Sequence, residues 1–386
     1  MNIQKLDERH FLDVLKMSEY AFQYQVPAEQ REERMQRFHQ HHLLGILDEE
    51  FLAAKLHIIP FDVYLGKEKI PMGGIAGVAT YPEYRRRGYV RKMLQESLTF
   101  LKENGYLISM LHPFHVAFYR KFGWELFANQ LKSTLTKSDL IPQGEVEGTI
   151  KRFQKEKHHS DIERVYEQYA QQFSGMLVRT REWWLQSVYS DLFAAVYYDP
   201  NGDPNGYLLY EVNNKKMKVE EFVALTKEAR KALWNFICQH DSMIEELTMI
   251  TWEQEPLFFS LDEPRIKQEM IPYFMVRIVD VESFLNQYPF QWGDVKEEVV
   301  LHVTDTFAPW NDQSYVLTKE QITPIPKDKV QGQGVHLTIN TLSTLLFGYK
   351  RPHELDQLGL LTGSEEDIER LNNIIPPIKP FFYDFF

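Results

Sequence analysis

Residues 81–94, "YPEYRRRGYVRKML", set four arginines and a lysine around a lone glycine. The strand-like run "GGIAGVAT" leads into them, and Val90, Met93, Leu94, Ser97, Leu98 and Leu101 then recur at helical spacing. The spacing predicts a loop of backbone N–H groups at a helix start. Such a terminus carries about half a positive charge and unpaired donors, so it binds anions. Gly88 lets the backbone come close to a ligand or take φ > 0. The arginines add Coulomb attraction, and the anion that fits is a diphosphate. On charge alone, a solvated basic loop that simply begins a helix is the better reading, and the order of elements around it shifts the balance towards an anion site. Neither a Walker Gly-Lys-Ser/Thr nor a Rossmann Gly-x-Gly-x-x-Gly is present.

The surrounding chain is acidic, with 43 Lys+Arg against 55 Asp+Glu and a net charge of −12. That argues against a nucleic-acid binder, which shows a basic face, and is compatible with cationic substrates. At 386 residues the chain exceeds one ordinary core, so two or three domains are expected. The single cysteine, Cys238, lies in the apolar run "KALWNFICQH" and reads as a core residue. One cysteine allows no internal disulfide and fits a reducing compartment. There is no basic leader before an apolar run and no apolar stretch long enough for a membrane, so a cytoplasmic protein without a membrane partner is expected.

Residues 11–45 read as helical, and 51–80 as three consecutive strands broken at "GKEK". The helix after Val90 should stop at Gly105. "YLISML" reads as a buried strand, "HVAFYRKFG" as a short helix ending at Gly123, and "LKSTLT" as a strand. "IPQGEVEG" has linker composition. After it comes a similar order: a helix at "DIERVYEQYAQQF", three strands, then a helix through "EARKALWNFICQH". The expected division is 1–145, 146–288 and 289–386, in a mixed α+β chain.

The loop resembles the signature of the GNAT superfamily of N-acetyltransferases, Arg/Gln-x-x-Gly-x-Gly/Ala after a long bulged strand. Here it stands as Arg85-Arg86-Arg87-Gly88-Tyr89-Val90, with Val90 where a small residue is usual. The resemblance implies that Arg85, Arg86, Arg87, Gly88, Tyr89, Val90 and Arg91 surround the pyrophosphate of acetyl-CoA. Val78, Ala79 and Thr80 would then run along its pantetheine arm, with Phe114 also at the cofactor site. "RRRGYVRKML…ENGYLISML…FYRKFGW", the second helix–strand unit and the aromatic end together resemble the Eis (enhanced intracellular survival) family. That implies an active GNAT domain, a second GNAT-like domain without a phosphate loop and a C-terminal sterol-carrier-like domain. The second unit has "VALTKEARKAL", without glycine, where such a loop would fall.

Acetyl transfer needs a neutral amine, a polarised thioester carbonyl and a proton for the departing thiolate. The resemblance implies Tyr119 as the general acid and the α-carboxylate of Phe386 as the general base. A glutamate acting through water stays open as an alternative base. The ending "FFYDFF" is too apolar for a frayed tail, so something buries it: its own domain, a neighbouring subunit or the active site. A backbone N–H near Val78 or Ala79 is expected to meet the carbonyl oxygen, at a bulge. Phe118, Phe122 and Trp124 read as core or pocket walls. His39, His41 and His42 read as surface residues of a helix or loop, since no set of zinc ligands converges in the sequence, and no metal is expected.

Two function classes follow. One is an acetyl-CoA-dependent N-acetyltransferase acting by direct attack on a primary amine of aminoglycoside, polyamine or lysine type, assembled as a homo-oligomer, a hexamer by resemblance. The other is a non-catalytic CoA- or lipid-binding module on the same scaffold.

Overall fold

The structure is a computed structural model that describes residues 3–327 and 333–386. The expected helix over 11–45 divides. Phe11–Phe22 is helical, short helical turns cover 31–40, and His42–Asp48 is a strand. Leu43, Leu44 and Ile46 of that strand are buried on both of its faces, so no single apolar stripe separates strand from helix in the sequence. The expected three strands over 51–80 are two long antiparallel ones, Phe51–Leu65 and Glu68–Thr80, joined at Gly66. Pro60 does not break the first of them. The neighbouring strand stops pairing at Ile58, so no partner on that side needs the missing N–H.

Among the described residues, thirteen strands form one sheet. Its order by residue is 3–5, 42–48, 51–65, 68–80, 108–111, 267–278, 125–136, 246–251, 216–224, 204–213, 193–198 and 149–153, with 174–177 pairing separately on 51–65. The first and second sequence halves therefore exchange strands. Lys267–Ile278 inserts between Ile108–Leu111 and Glu125–Thr136, and the latter pairs onward with Glu246–Thr251.

Each half contains the same local device. A pair of strands runs parallel for a few residues and then parts: Met72–Gly74 beside Ile108–Met110, and Lys216–Val219 beside Glu246–Met249. Each diverging strand leads to an amphipathic helix, Tyr89–Glu103 or Lys227–Cys238. Cys238 is buried in the second of these. Together these elements give the mixed α+β fold expected from the sequence.

In the third part the described residues form a five-stranded sheet in the order 322–325, 314–317, 299–304, 335–338 and 361–362, covered by the helices Ile339–Leu346, Pro352–Gln357 and Glu365–Ile374. Its core is continuous with that of the large sheet. A fully buried ion pair, Arg277 Nη2 to Asp305 Oδ1 and Oδ2 at 2.8 and 2.6 Å, fastens the inserted strand to it. After Ile374 the chain returns to the large sheet. Ser174 N–H donates to Lys379 O and Phe381 N–H to Ser174 O, so the tail adds to the edge of strand Ser174–Leu177.

Candidate active site

Helix Tyr89–Glu103 starts at Gly88, which has φ 78° and no side chain to cap the first turn. Its leading N–H groups are thus offered outward. Arg86 also takes a left-handed φ of 64°, a conformation costly for a residue with a Cβ. Arg85, Arg86, Arg87 and Arg91 are exposed, and none pairs with a carboxylate among the described residues. Arg87 lies over the Tyr84 ring at 5.2 Å, and Arg91 over Phe307 of the third part at 5.1 Å. Four guanidinium groups without a carboxylate partner among the described residues thus stand beside an uncapped helix start, an arrangement that favours an anion.

The strand leading to this loop is bulged. Lys55 pairs with Ala79 and His57 with Ala76, so Gly77 and Val78 together oppose Leu56. Gly77 has φ 54°, which only glycine adopts readily. On the other side, pairing with Ile108–Leu111 ends at Gly74 and Met110. From Ile75 to Thr80 that edge has no strand partner among the described residues, which leaves its main-chain groups open to an extended amide-bearing ligand. Val78, Ala79 and Thr80 lie on this edge.

Tyr119 sits on the short helix Val116–Arg120, just beyond strand Ile108–Leu111. It is buried, and burial pushes its phenol above the ordinary range, so it stays protonated at neutral pH. Its hydroxyl makes no hydrogen bond to a described residue. Phe114 is exposed, with its ring 5.4 Å from that of Tyr119. Phe122 and Trp124 are buried in the core beneath the helix Tyr89–Glu103, and Phe118 is half-buried against it.

Phe386 comes to the same region from the far end of the chain. Its ring lies 4.9 Å from Phe61 and 5.1 Å from Phe274. It covers Gly74, the residue at which the two strands part. Phe385 beside it is 5.1 Å from the ring of His112. The tail is held by an anchor not apparent in the sequence. Buried Asp384 accepts from Arg179 Nε at 2.9 Å and from Trp183 Nε1 at 2.8 Å, while its main-chain oxygen accepts from Tyr273 at 3.0 Å. Arg179 also pairs with Glu221, which accepts from the Tyr207 hydroxyl at 2.6 Å. The only sequence signal was the acid itself, alone in an apolar ending.

The second half closes the corresponding features. Helix Lys227–Cys238 is capped by the Thr226 side chain, which accepts from Ala229 N–H. Where strand Lys216–Ala224 has parted from its parallel neighbour, the Tyr383 hydroxyl bonds both main-chain groups of Phe222, at 3.3 and 3.2 Å. The chain's own tail thus takes up groups that are left free in the first half.

The histidines of "HQHH" do not share one surface, contrary to expectation. His39 is exposed, His41 turns inward to within 3.0 Å of His57, and His42 packs its ring 4.6 Å from Phe100. Strand alternation from residue 42 onward sends them to opposite faces.

Two acetyltransferase (GNAT) domain families match residues 2–127 and 175–278, and a sterol carrier protein domain family matches 281–383. The N-acetyltransferase Eis of Mycobacterium tuberculosis is 30% identical over 259 residues, which is 62% of this chain and 63% of that protein. The chain therefore matches less than two thirds of the length of that curated relative. A conserved protein of unknown function from Enterococcus faecalis V583, described as a probable N-acyltransferase, superposes with a TM-score of 0.93 at 29% identity, covering 100% of this chain and 99% of its own. Eis1 from Mycobacterium abscessus shares the fold at a TM-score of 0.81 and 19% identity, over 100% of both chains. No helix among the described residues is long and apolar enough to cross a membrane.

Proposed function

The chain belongs to the GNAT superfamily, with the three-part order of the Eis N-acetyltransferases, and on that premise we propose that it transfers an acetyl group from acetyl-CoA to a primary amine by direct attack. The amine is of aminoglycoside, polyamine or lysine type. The observation that carries this reading is the position of Phe386. A residue 267 positions beyond Tyr119 (386 − 119) is anchored over Gly74, where the site strands part. A purely binding module has no need to fix its tail there with a buried Arg179–Asp384 pair.

In this reading Arg85, Arg86, Arg87 and Arg91 and the N–H groups from Gly88 to Arg91 hold the pyrophosphate. Val78, Ala79 and Thr80 pair with the pantetheine amides, and Phe114 borders the site. The bulge at Gly77–Val78 supports a free N–H for the thioester oxygen. The α-carboxylate of Phe386 draws a proton from the attacking amine, directly or through water. Tyr119, kept protonated by burial, gives one to the thiolate. The protein would assemble as a homohexamer and work in the cytoplasm.

The deciding experiment is thiol release from acetyl-CoA against a panel of polyamines, aminoglycosides and lysine peptides. Turnover with any of them supports the reading. Tight acetyl-CoA binding without turnover across the panel would leave the chain as a CoA-binding module.

A further inference from the structure

Beneath the bulge at Gly77 lies a group that the acetyl-transfer reading does not use. Lys55 is the only buried lysine among the described residues. Strand alternation places it and His57 on the face covered by helix Phe11–Phe22, while Leu56 and Ile58 join the core under helix Tyr89–Glu103. Lys55 Nζ donates to Ser18 Oγ at 2.6 Å and lies 2.9 Å from His57 Nε2. His57 Nδ1 lies 3.0 Å from His41 Nδ1. A Cβ at position 77 would come within 2.9 Å of Lys55 Nζ, so the amine lies directly against the bulge.

The groups facing Lys55 are Ser18 from helix Phe11–Phe22, His57 on its own strand, His41 just ahead of strand His42–Asp48, and Arg34 of helix Arg31–Gln36 at longer range. The facing positions of the neighbouring strands, Gly45, Gly77 and Ala79, carry no charge. No carboxylate is among these groups. Burial first, and then Arg34, pushes the lysine down to about 7. Burial holds His41 near 4, and burial together with Lys55 holds His57 well below its usual value. Both imidazoles are therefore neutral at pH 7, and the lysine is the group that changes charge there. A neutral imidazole has one donor and one acceptor. With His57 Nε2 accepting from the ammonium, its Nδ1–H donates to His41, and the chain of hydrogen bonds has one direction.

A buried cation without a counter-charge is costly, and an apolar side chain of similar length would fill the same space. The missing negative charge is one that forms only during reaction, on the oxygen of the thioester. We propose that Lys55 is a positioning residue for acyl transfer, its ammonium lying against the Gly77–Val78 bulge as the positive charge behind the backbone N–H that meets the thioester carbonyl. The proposal rests on the acetyltransferase reading. It adds a group held in place by Ser18 and His57 on the opposite side of the bulge from the ligand edge.

The test uses acetyl-CoA labelled with ¹³C at the carbonyl, bound to the full-length protein and to Lys55→Met. In the wild type the bound carbonyl resonance should lie downfield of free acetyl-CoA at pH 6 and move back as pH rises through about 7. In the variant it should not move with pH. Where an amine is turned over, the ratio of wild-type to variant kcat cancels the ionisation of the amine. That ratio should fall from roughly tenfold at pH 6 towards unity above pH 8, a smaller effect than the 10²–10³ of a direct oxyanion donor. The variant's KM for acetyl-CoA should stay close to that of the wild type, and its thermal stability should not fall, because a buried charge has been removed. The same pH-dependent shift in both proteins would overturn the role of Lys55 while leaving the acetyltransferase reading intact. Failure of acetyl-CoA to bind at all would overturn both.

Discussion

The phenyl ring of Phe386 covers Gly74 so closely that a Cβ at position 74 would lie 2.7 Å from its Cε2 atom. Glycine at 74 is thus the space that the tail fills. Gly74→Val should push the Phe386 ring off the strand without introducing a charge. Turnover should fall towards the roughly 10²–10⁴-fold loss expected when a positioned acid–base group is displaced. If the arginine loop holds the cofactor, as proposed, acetyl-CoA affinity should change little. Equal losses in affinity and turnover would mean that Gly74 serves the cofactor slot and not the tail.

The arginine loop gives a separate prediction. Gly88 stands at φ 78°, where any other residue is strained, although a Cβ there would meet no atom within 4 Å. Gly88→Glu adds that strain and places a negative charge among Arg85, Arg86, Arg87 and Arg91. Calorimetry should find acetyl-CoA binding abolished. Gly88→Ala, with the strain but without the charge, should bind more weakly than wild type and more tightly than the glutamate variant. Unaltered binding by the glutamate variant would remove the loop from the cofactor site.

The parts of the fold legible in the sequence are the ones decided locally. Gly88, Gly105 and Gly123 do take left-handed φ values, and the two helices and the strand between them fall where periodicity puts them. The second helix–strand unit was legible for the same reason. What escaped depends on partners far along the chain. Nothing near residue 267 says that its strand will lie between 108–111 and 125–136. Arg179 and Asp384 stand 205 positions apart, and nothing in "LVRTREWW" marks Arg179, rather than Arg181 two residues on, as half of a buried pair. Lys55 and His57 alternate with apolar residues, a pattern that reads as a solvent-facing side of a strand. They are buried because helix Phe11–Phe22 covers that side.

Asp384 is the fastening point of the tail. Asp384→Ala leaves the buried Arg179 with Glu221 alone and strips Trp183 of its acceptor. Breaking a buried pair on one side costs about 3–5 kcal/mol, so the urea midpoint should fall clearly. Turnover should fall with it even under conditions where the variant is fully folded. A variant with unchanged stability would show that the pair is not formed in solution.

The buried lysine also predicts how stability depends on pH. Lys55 is held at about 7 in the folded chain, against 10.5 for a free lysine. Between those values the unfolded chain binds more protons, so this group makes stability rise with pH across that window. Across it, stability changes by at most about 1.4 kcal/mol for each pH step of one. Lys55→Met should therefore be more stable than wild type at pH 7, and the gap should narrow steadily towards pH 10. Denaturant unfolding of both proteins at pH 7, 8.5 and 10 measures it. A gap that stays constant with pH would mean that Lys55 remains charged when folded.

The last prediction joins Tyr119 and Phe386. If the Phe386 carboxylate takes the amine's proton, moving that charge away must slow the reaction without touching the arginine loop. A tag of a few residues after Phe386 does this, because the tail is anchored through Asp384 and Tyr383 and the added residues must leave from the position of the ring over Gly74. The same tag at the other end of the protein is the control. Tyr119→Phe removes one hydroxyl that no described residue uses, so it should leave folding and acetyl-CoA affinity almost unchanged. Each change should lower turnover by roughly 10²–10⁴-fold. The two should differ in pH dependence. Without its base the enzyme should lose the acidic limb of its rate profile, whereas without Tyr119 that limb should persist at a lower plateau. A tagged enzyme that turns over at the untagged rate would exclude the Phe386 carboxylate, and a glutamate acting through water would become the base to seek.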